Sequence, residues 1–409
     1  MQADVPLNHN QKRINVKMAE NLIIRHLEAK RISPADGMHY FFGYFDKNHW
    51  DSRQKRLLAH RAKFTGRQIR FSDIAEVGIL EDGKFHKISE TRAWCWQQGC
   101  MLQWFDDSHI IHNDFEDGRF VARIIDIDTG KTRTLHRPVY CLSPDRKHAL
   151  SLDFARLDRE RPGYGYPGVW TPMLEDGWPM EDGVWLIDLE KDTSSLSVSV
   201  GQIVRDYPGI GTDQATSWFN HLLVSPDSKR FGFFHRWRRF GPWGPRIRSH
   251  ITHMFTANLD GSEIYPLNLE DMSSHYCWVD DKRIINYSNR FKDGWQYHLF
   301  TDKTDIVETI GEKYFDGDGH CTFSADCRWM LTDSYPDPAD NCRALYLYNI
   351  EKDIAYELGR FYADPSYDGP ARCDLHPSLS ADGRIICFDS IHEGFRGIYN
   401  MDVSALTRK

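Results

Sequence analysis

The chain has 409 residues, a formal net charge of -8 at pH 7, 41 % hydrophobic residues and 13 % aromatic residues. That charge excludes a general nucleic-acid binder, which needs a basic face, and no run of about 18 apolar residues is present to span a bilayer. Nine cysteines without a framework spacing read as reduced core residues, one of them a candidate metal ligand. The N-terminus lacks an apolar leader, so a cytoplasmic location is expected, or a secreted or periplasmic one if a signal was trimmed.

In chain order, residues 1–36 stand apart as an N-terminal extension. Apolar residues at helical spacing from Met18 to Arg31 predict a short helix there. Beyond it, one frame recurs seven times: a strand, a polar turn and a second strand. The second strand begins at Lys55-Arg56-Leu57-Leu58, Ser108-His109-Ile110-Ile111, Lys147-His148-Ala149-Leu150, Lys229-Arg230-Phe231, Lys282-Arg283-Ile284-Ile285, Cys327-Arg328-Trp329-Met330 and Gly383-Arg384-Ile385-Ile386. Four copies keep a Ser-(Pro/Ala)-Asp turn, at Ser143, Ser225, Ser324 and Ser380. A further hairpin follows each copy, which makes about four strands in 40 to 55 residues, the period of a propeller blade. The expectation is all-β: one seven-bladed β-propeller over residues 37–409, widened in its third unit by a Pro-, Gly-, Tyr- and Trp-rich insertion at 156–179. Its last unit is short of a fourth strand, and a strand from the N-terminal segment can close the open edge.

The inner strands of propeller blades converge on a channel. Six residues before the turn aspartate, units four to seven carry His221, His275, His320 and His376. With Cys373 three residues before His376, three imidazoles and a thiolate suit tetrahedral zinc, with manganese as the alternative. If Cys373 ligates, His221 is the spare imidazole. The competing view is a set of channel histidines bonded to water and backbone.

The insertion offers Arg161, Tyr164 and Tyr166 on a Gly/Pro-shaped loop, to stack on sugar rings or move protons, or simply to pack over a blade. His235, Arg236 and Arg238 end the second strand of unit four, where guanidiniums suit a carboxylate or form a solvated strand end. Gln98 and His112 in unit two are weaker candidates for the channel mouth. The chain carries no Gly-rich phosphate loop and no serine nucleophile elbow.

The segments His275-Tyr276-Cys277-Trp278 and Cys373-Asp374-Leu375-His376-Pro377-Ser378 resemble the last blades of propeller-type polysaccharide lyases, the oligogalacturonate lyases and the ulvan lyases. That resemblance implies a seven-bladed propeller, a metal near the channel and β-elimination on a uronate-containing oligo- or polysaccharide. His275 and His376 match metal-ligand positions of the oligogalacturonate lyases; Cys373 has no counterpart there, which favours zinc over manganese. Tyr164 or Tyr166 looks like the catalytic tyrosine of the ulvan lyases, and Gln98 and His112 stand near an expected histidine. In this chemistry Arg236 or the metal neutralises the carboxylate, His221 or a tyrosinate takes the C5 proton, and a tyrosine protonates the leaving oxygen. A non-catalytic glycan- or protein-binding propeller with a structural metal is the alternative. A glycoside hydrolase would need a pair of carboxylates about 5 to 10 Å apart.

Overall fold

The structure is a computed structural model that describes residues 22–47, 49–207, 215–239, 250–270 and 272–408. Strands dominate, and the three α-helices among the described residues have at most seven residues each. The strands form small up-and-down sheets in chain order. They run from His39–Phe41 to Lys84–Thr91, from Gln103–Trp104 to Thr132–Leu135, and from Cys141–Leu142 to Thr193–Ser199. An eight-stranded sheet follows, from Ala215–Val224 to Val307–Ile310, and two more begin at Thr322–Phe323 and Ser378–Leu379. The halves of the eight-stranded sheet meet through one parallel pair, Thr252 with Met272. First and last sheets also touch: the Tyr40 amide donates to the Arg396 carbonyl at 2.9 Å, and Tyr40, Phe42 and Leu57 pack with Cys387 and Ile398.

The recurring turn has one physical design. In each of the four Ser-x-Asp copies the serine hydroxyl donates to the aspartate, at 2.6, 2.7, 2.7 and 2.8 Å for Ser143, Ser225, Ser324 and Ser380. The same oxygen accepts the amide that opens the next strand, at 3.0 Å from His148, Arg230 and Trp329 and 2.9 Å from Ile385. The residue after the aspartate turns left-handed: Arg146, Ser228, Cys327 and Gly383 have φ of 60°, 61°, 58° and 69°. Only the last copy uses glycine, for which that conformation is free of cost. Every predicted second strand is a strand.

Two local expectations are corrected. The helix predicted from Met18 to Arg31 is absent over residues 22–31, and residues 18–21 lie outside the described ones. Leu22–Ile24 instead pairs in parallel with Ile354–Tyr362, and Lys30–Arg31 pairs with Gly397–Asp402. The unpaired amides and carbonyls of two sheet edges outweigh a short helix that is marginal alone. The insertion is not a surface loop. It opens with the helix Phe154–Glu160, capped by Asp153, and both of its tyrosines are buried.

Candidate functional site

Two strands of the eight-stranded sheet, Ala215–Val224 and Met272–Trp278, and the segments leading into Thr322–Phe323 and Ser378–Leu379 bring the four histidines into one arc. His275 and His320 have ring centroids 4.0 Å apart, His320 and His376 4.4 Å, and His221 and His275 6.2 Å. The backbone is bent to achieve this. The pairing register shifts around His221 and His275, and His221 and His376 hold φ of 52° and 45°. Left-handed histidines on a strand cost energy and persist where the surrounding structure enforces them, often at functional sites.

Carboxylates behind the ring set the tautomers. Asp318 accepts from His275 Nδ1 and Asp333 from His320 Nδ1, both at 2.9 Å. That leaves Nε2 of each as the lone-pair side. His320 Nε2 and His376 Nε2 are buried without a hydrogen-bond partner. Burial drives both imidazoles well below their ordinary pKa, so they are neutral and able to ligate. Asp374 completes the group: one donor atom each from His320, Asp374 and His376 lie within 4.8 Å of one another.

Contacts within Arg372–His376 explain the choice of aspartate. Arg372 Nε donates to Asp374 Oδ2 at 2.8 Å, and His376 Nε2 lies 3.8 Å from that oxygen. Arg343 Nη2 sits 2.6 Å from the other carboxylate oxygen. Cys373 points away, into the field of Arg396 and Asp389, and burial pushes its thiol up to about 12. The converging donor atoms are thus those of His320, Asp374 and His376, with Asp374 where Cys373 was expected, and zinc specifically is unsupported.

Beside the histidines lies a cationic corner. Arg372 Nη2 donates to the Tyr164 hydroxyl at 2.7 Å, and the Arg161 guanidinium lies over the Tyr164 ring at 5.2 Å. Tyr164 and His221 meet edge to face at 5.7 Å. Arg236 is buried with Nε and Nη1 unpartnered, and burial together with Arg161 lowers its pKa to about 10. The same burial, with Arg236 nearby, depresses His221 well below its ordinary value. Tyr164, His221, Arg161 and Arg236 thus share one corner, against the imidazole arc.

The other expected residues lie elsewhere. Tyr166 stacks on Phe154 at 4.3 Å and accepts from Asn113 Nδ2 at 3.0 Å, so it is core. His235 points into its own sheet against Phe219 and Phe255, because it alternates with Arg236. Arg238 lies over Trp218 and is ion-paired with Glu160 at 3.8 Å. His112 contacts Ser89 and the Asn113 carbonyl between sheets. Gln98 hydrogen-bonds the Tyr140 hydroxyl, which accepts the His221 amide at 3.1 Å, so it supports the site from behind.

Sequence reasoning missed Tyr44, whose buried hydroxyl has no partner. Its ring lies 5.2 Å from that of His221 and 4.7 Å from that of His376. It also missed Tyr335, 38 % exposed and 6.4 Å from the His275 ring, at the open side of the arc. The nearness of Asp374 and Arg372 to His376 in sequence would have found them; nothing in the repeat marks Tyr335. A cavity of about 740 Å³ is lined by Lys47, Trp50, Trp104 and Arg146, at the Ser-x-Asp-turn end of the channel rather than at the histidines.

No protein-family model matches the chain, and no curated protein matches it. Solved structures do. An oligogalacturonate lyase from Vibrio parahaemolyticus is 16 % identical with a TM-score of 0.62, over 94 % of this chain and 96 % of that one. An oligogalacturonate lyase in complex with manganese is 16 % identical with a TM-score of 0.61, over 94 % of this chain and 98 % of that one. At that identity the likeness shows the fold: the chain has the propeller-like architecture of the oligogalacturonate lyases.

Proposed function

We propose that the protein is a carbon-oxygen lyase that cleaves a uronate-containing oligo- or polysaccharide by β-elimination. On this reading the two halves of the eight-stranded sheet are separate blades and the ring has seven. The observation that carries the proposal is the corner itself: a neutral imidazole, a phenol and two guanidiniums with no carboxylate partner among the described residues, gathered beside one group of buried metal-ligand atoms.

The chemistry follows from the residue types. A uronate carboxylate enters the field of Arg236 and Arg161, which offsets the cost of burying those cations alone. Withdrawing carboxylate charge makes the C5 proton more acidic, and this stabilisation grows as enolate-like charge develops. His221, kept neutral by burial, takes that proton. The C5 electron pair forms the C4–C5 double bond, the C4–O4 bond breaks, and Tyr164 gives its proton to O4. Arg372 holds the phenol oxygen in place for that transfer.

His320, Asp374 and His376 fit a divalent cation, because their donor atoms converge and two nitrogens are otherwise orphaned in the interior. An imidazole and carboxylate set suits manganese as well as zinc, and one relative of this fold is a manganese complex. When bound, such an ion supplies Lewis-acid neutralisation of the carboxylate.

The low exposure of Tyr164 and His221, 2 % and 6 %, favours the second reading, a glycan-binding propeller whose metal is structural. A panel of uronate-containing glycans separates the two, since elimination yields a conjugated, ultraviolet-absorbing product without consuming water. Tyr164→Phe should abolish that absorbance change while leaving the melting temperature and metal content unchanged. No absorbance change with any uronate, with binding retained, would replace the lyase by the binding module.

A further inference from the structure

Phe291 is 80 % exposed, Trp295 44 % and Tyr335 38 %, among the largest exposed apolar surfaces of the described residues. These three are not scattered. The hairpin between Arg283–Arg290 and Gly294–Thr301 rises at the end of its sheet where Met272 pairs with Asn289, the end that also carries His275. Trp295 stacks on Tyr287 at 5.6 Å and 24°. Tyr287 and Tyr335 both feel the charge of Asp318, the carboxylate that holds His275. Tyr335 beside the histidine arc and the Tyr287–Trp295 stack thus stand on either side of Asp318, and Phe291 stands at the tip of the same hairpin as Trp295.

The hairpin tip is held, not loose. Glu270 accepts from the Phe291 amide at 2.6 Å and from Arg290 Nη2 at 3.2 Å, and Arg290 lies 3.7 Å from Asp293. A pinned backbone presents a ring to solvent at the mouth of a polar site, with Arg290, Lys292 and Asp293 interleaved. Flat apolar faces with polar groups between them match a sugar chain, whose rings offer C–H faces and hydroxyl edges. A protein partner would find too small and too interrupted an apolar surface here.

We infer that Tyr335, Trp295 and Phe291 form an outer binding platform for the glycan, so the protein takes chains that extend beyond the sugars at the Arg236 corner. This rests on the uronate reading of that corner and adds the length of the ligand to it. The platform is read by titrating oligouronates of two and of six residues into full-length Tyr164→Phe protein, following tryptophan fluorescence and calorimetry. The six-residue chain should bind more tightly. The pair Phe291→Ala with Trp295→Ala should weaken it about tenfold, or about 1.4 kcal/mol, and leave the two-residue ligand unchanged. Both side chains are at the surface, so the variant should fold.

Equal loss for both lengths, or no loss for either, overturns the platform. A change of sedimentation from dimer to monomer in the variant, with glycan affinity unchanged, also overturns it and assigns the patch to a second copy of the chain. Length-dependent binding without any ultraviolet-absorbing product from the wild-type protein would sustain the platform and remove the lyase.

Discussion

Asp374→Asn is the most informative single change. The carboxylate side chain is fully buried, 2.6 Å from Arg343, whose side chain is 4 % exposed, and 2.8 Å from Arg372. Those guanidiniums hold its pKa well below the usual carboxylate range, against the opposing effect of burial. Asparagine keeps the shape and removes the charge, which leaves Arg343 buried beside a neutral amide. Breaking a buried pair in this way costs about 3–5 kcal/mol. With an unfolding entropy of about 2.1 cal/mol/K per residue, the 409-residue chain has roughly 0.9 kcal/mol/K in total. The melting temperature should then fall by about 3–6 °C in calorimetry of the chelator-treated protein. Manganese at a hundredfold excess over its dissociation constant should raise the wild type by about 2.7 kcal/mol, or roughly 3 °C, and the variant hardly at all. If the variant melts within about 1 °C of the wild type and keeps the cation shift, neither the charge network nor the carboxylate ligand has the role given to it.

The remaining expectations are simpler to state. Burial pushes His49, His60 and His235 down to about 3 from the ordinary 6.5. The unfolded chain then binds more protons, so each group's stability is present above about pH 6.5 and is lost toward pH 3. The loss is about 1.4 kcal/mol per pH unit for each histidine, and urea midpoints that do not move between pH 7 and 5 would refute it. Cys373→Ser should leave the bound-metal stoichiometry unchanged, whereas His376→Ala should lower it; elemental analysis decides, and metal loss on the serine change would restore sulfur as a ligand. Deleting residues 1–31 should expose the edge of Gly397–Asp402 and produce self-association visible by sedimentation, and a monodisperse, equally stable product would show the N-terminal strands to be dispensable.

Much of this arrangement was legible because a turn is a fixed ruler. The Ser-x-Asp hydrogen bonds set the start of four second strands, so counting back from the aspartate finds His221, His320 and His376 in three of them, while the third unit has Val139 there and His275 stands ahead of the plain Asp280-Asp281 turn. What failed was direction rather than position. Cys373 is as near His376 in sequence as a ligand would be, yet its thiol lies in the field of Arg396 and Asp389, whereas Asp374 lies beside the imidazole and is held there by Arg372. Parity could not separate Tyr164 from Tyr166, because the chain between Gly163 and Gly168, with φ of 96° and 100°, is turn rather than strand. The Met18–Arg31 helix failed because local spacing carries no information about two sheet edges more than 300 residues away.

Tyr44 shows where the ruler itself ends. In the first unit Asp51 takes the place of the turn serine, its amide donating to the Arg56 carbonyl at 3.0 Å, so the equivalent inner position is Lys47, not histidine, and Phe45 and Tyr44 turn inward beside it. Phe45 lies 5.3 Å from the His320 ring and 6.0 Å from His275, and Tyr44 packs on His221 and His376. The first sheet thus closes its side of the channel with two aromatic rings. The imidazoles are left as a buried arc whose other flank meets the exposed Tyr335. A ring of equivalent histidines would have been a symmetric channel lining; an arc backed by aromatics has an inside and an outside, which a one-sided ligand site requires. The departure of the first unit from the repeat is therefore part of what makes the repeated histidines a site.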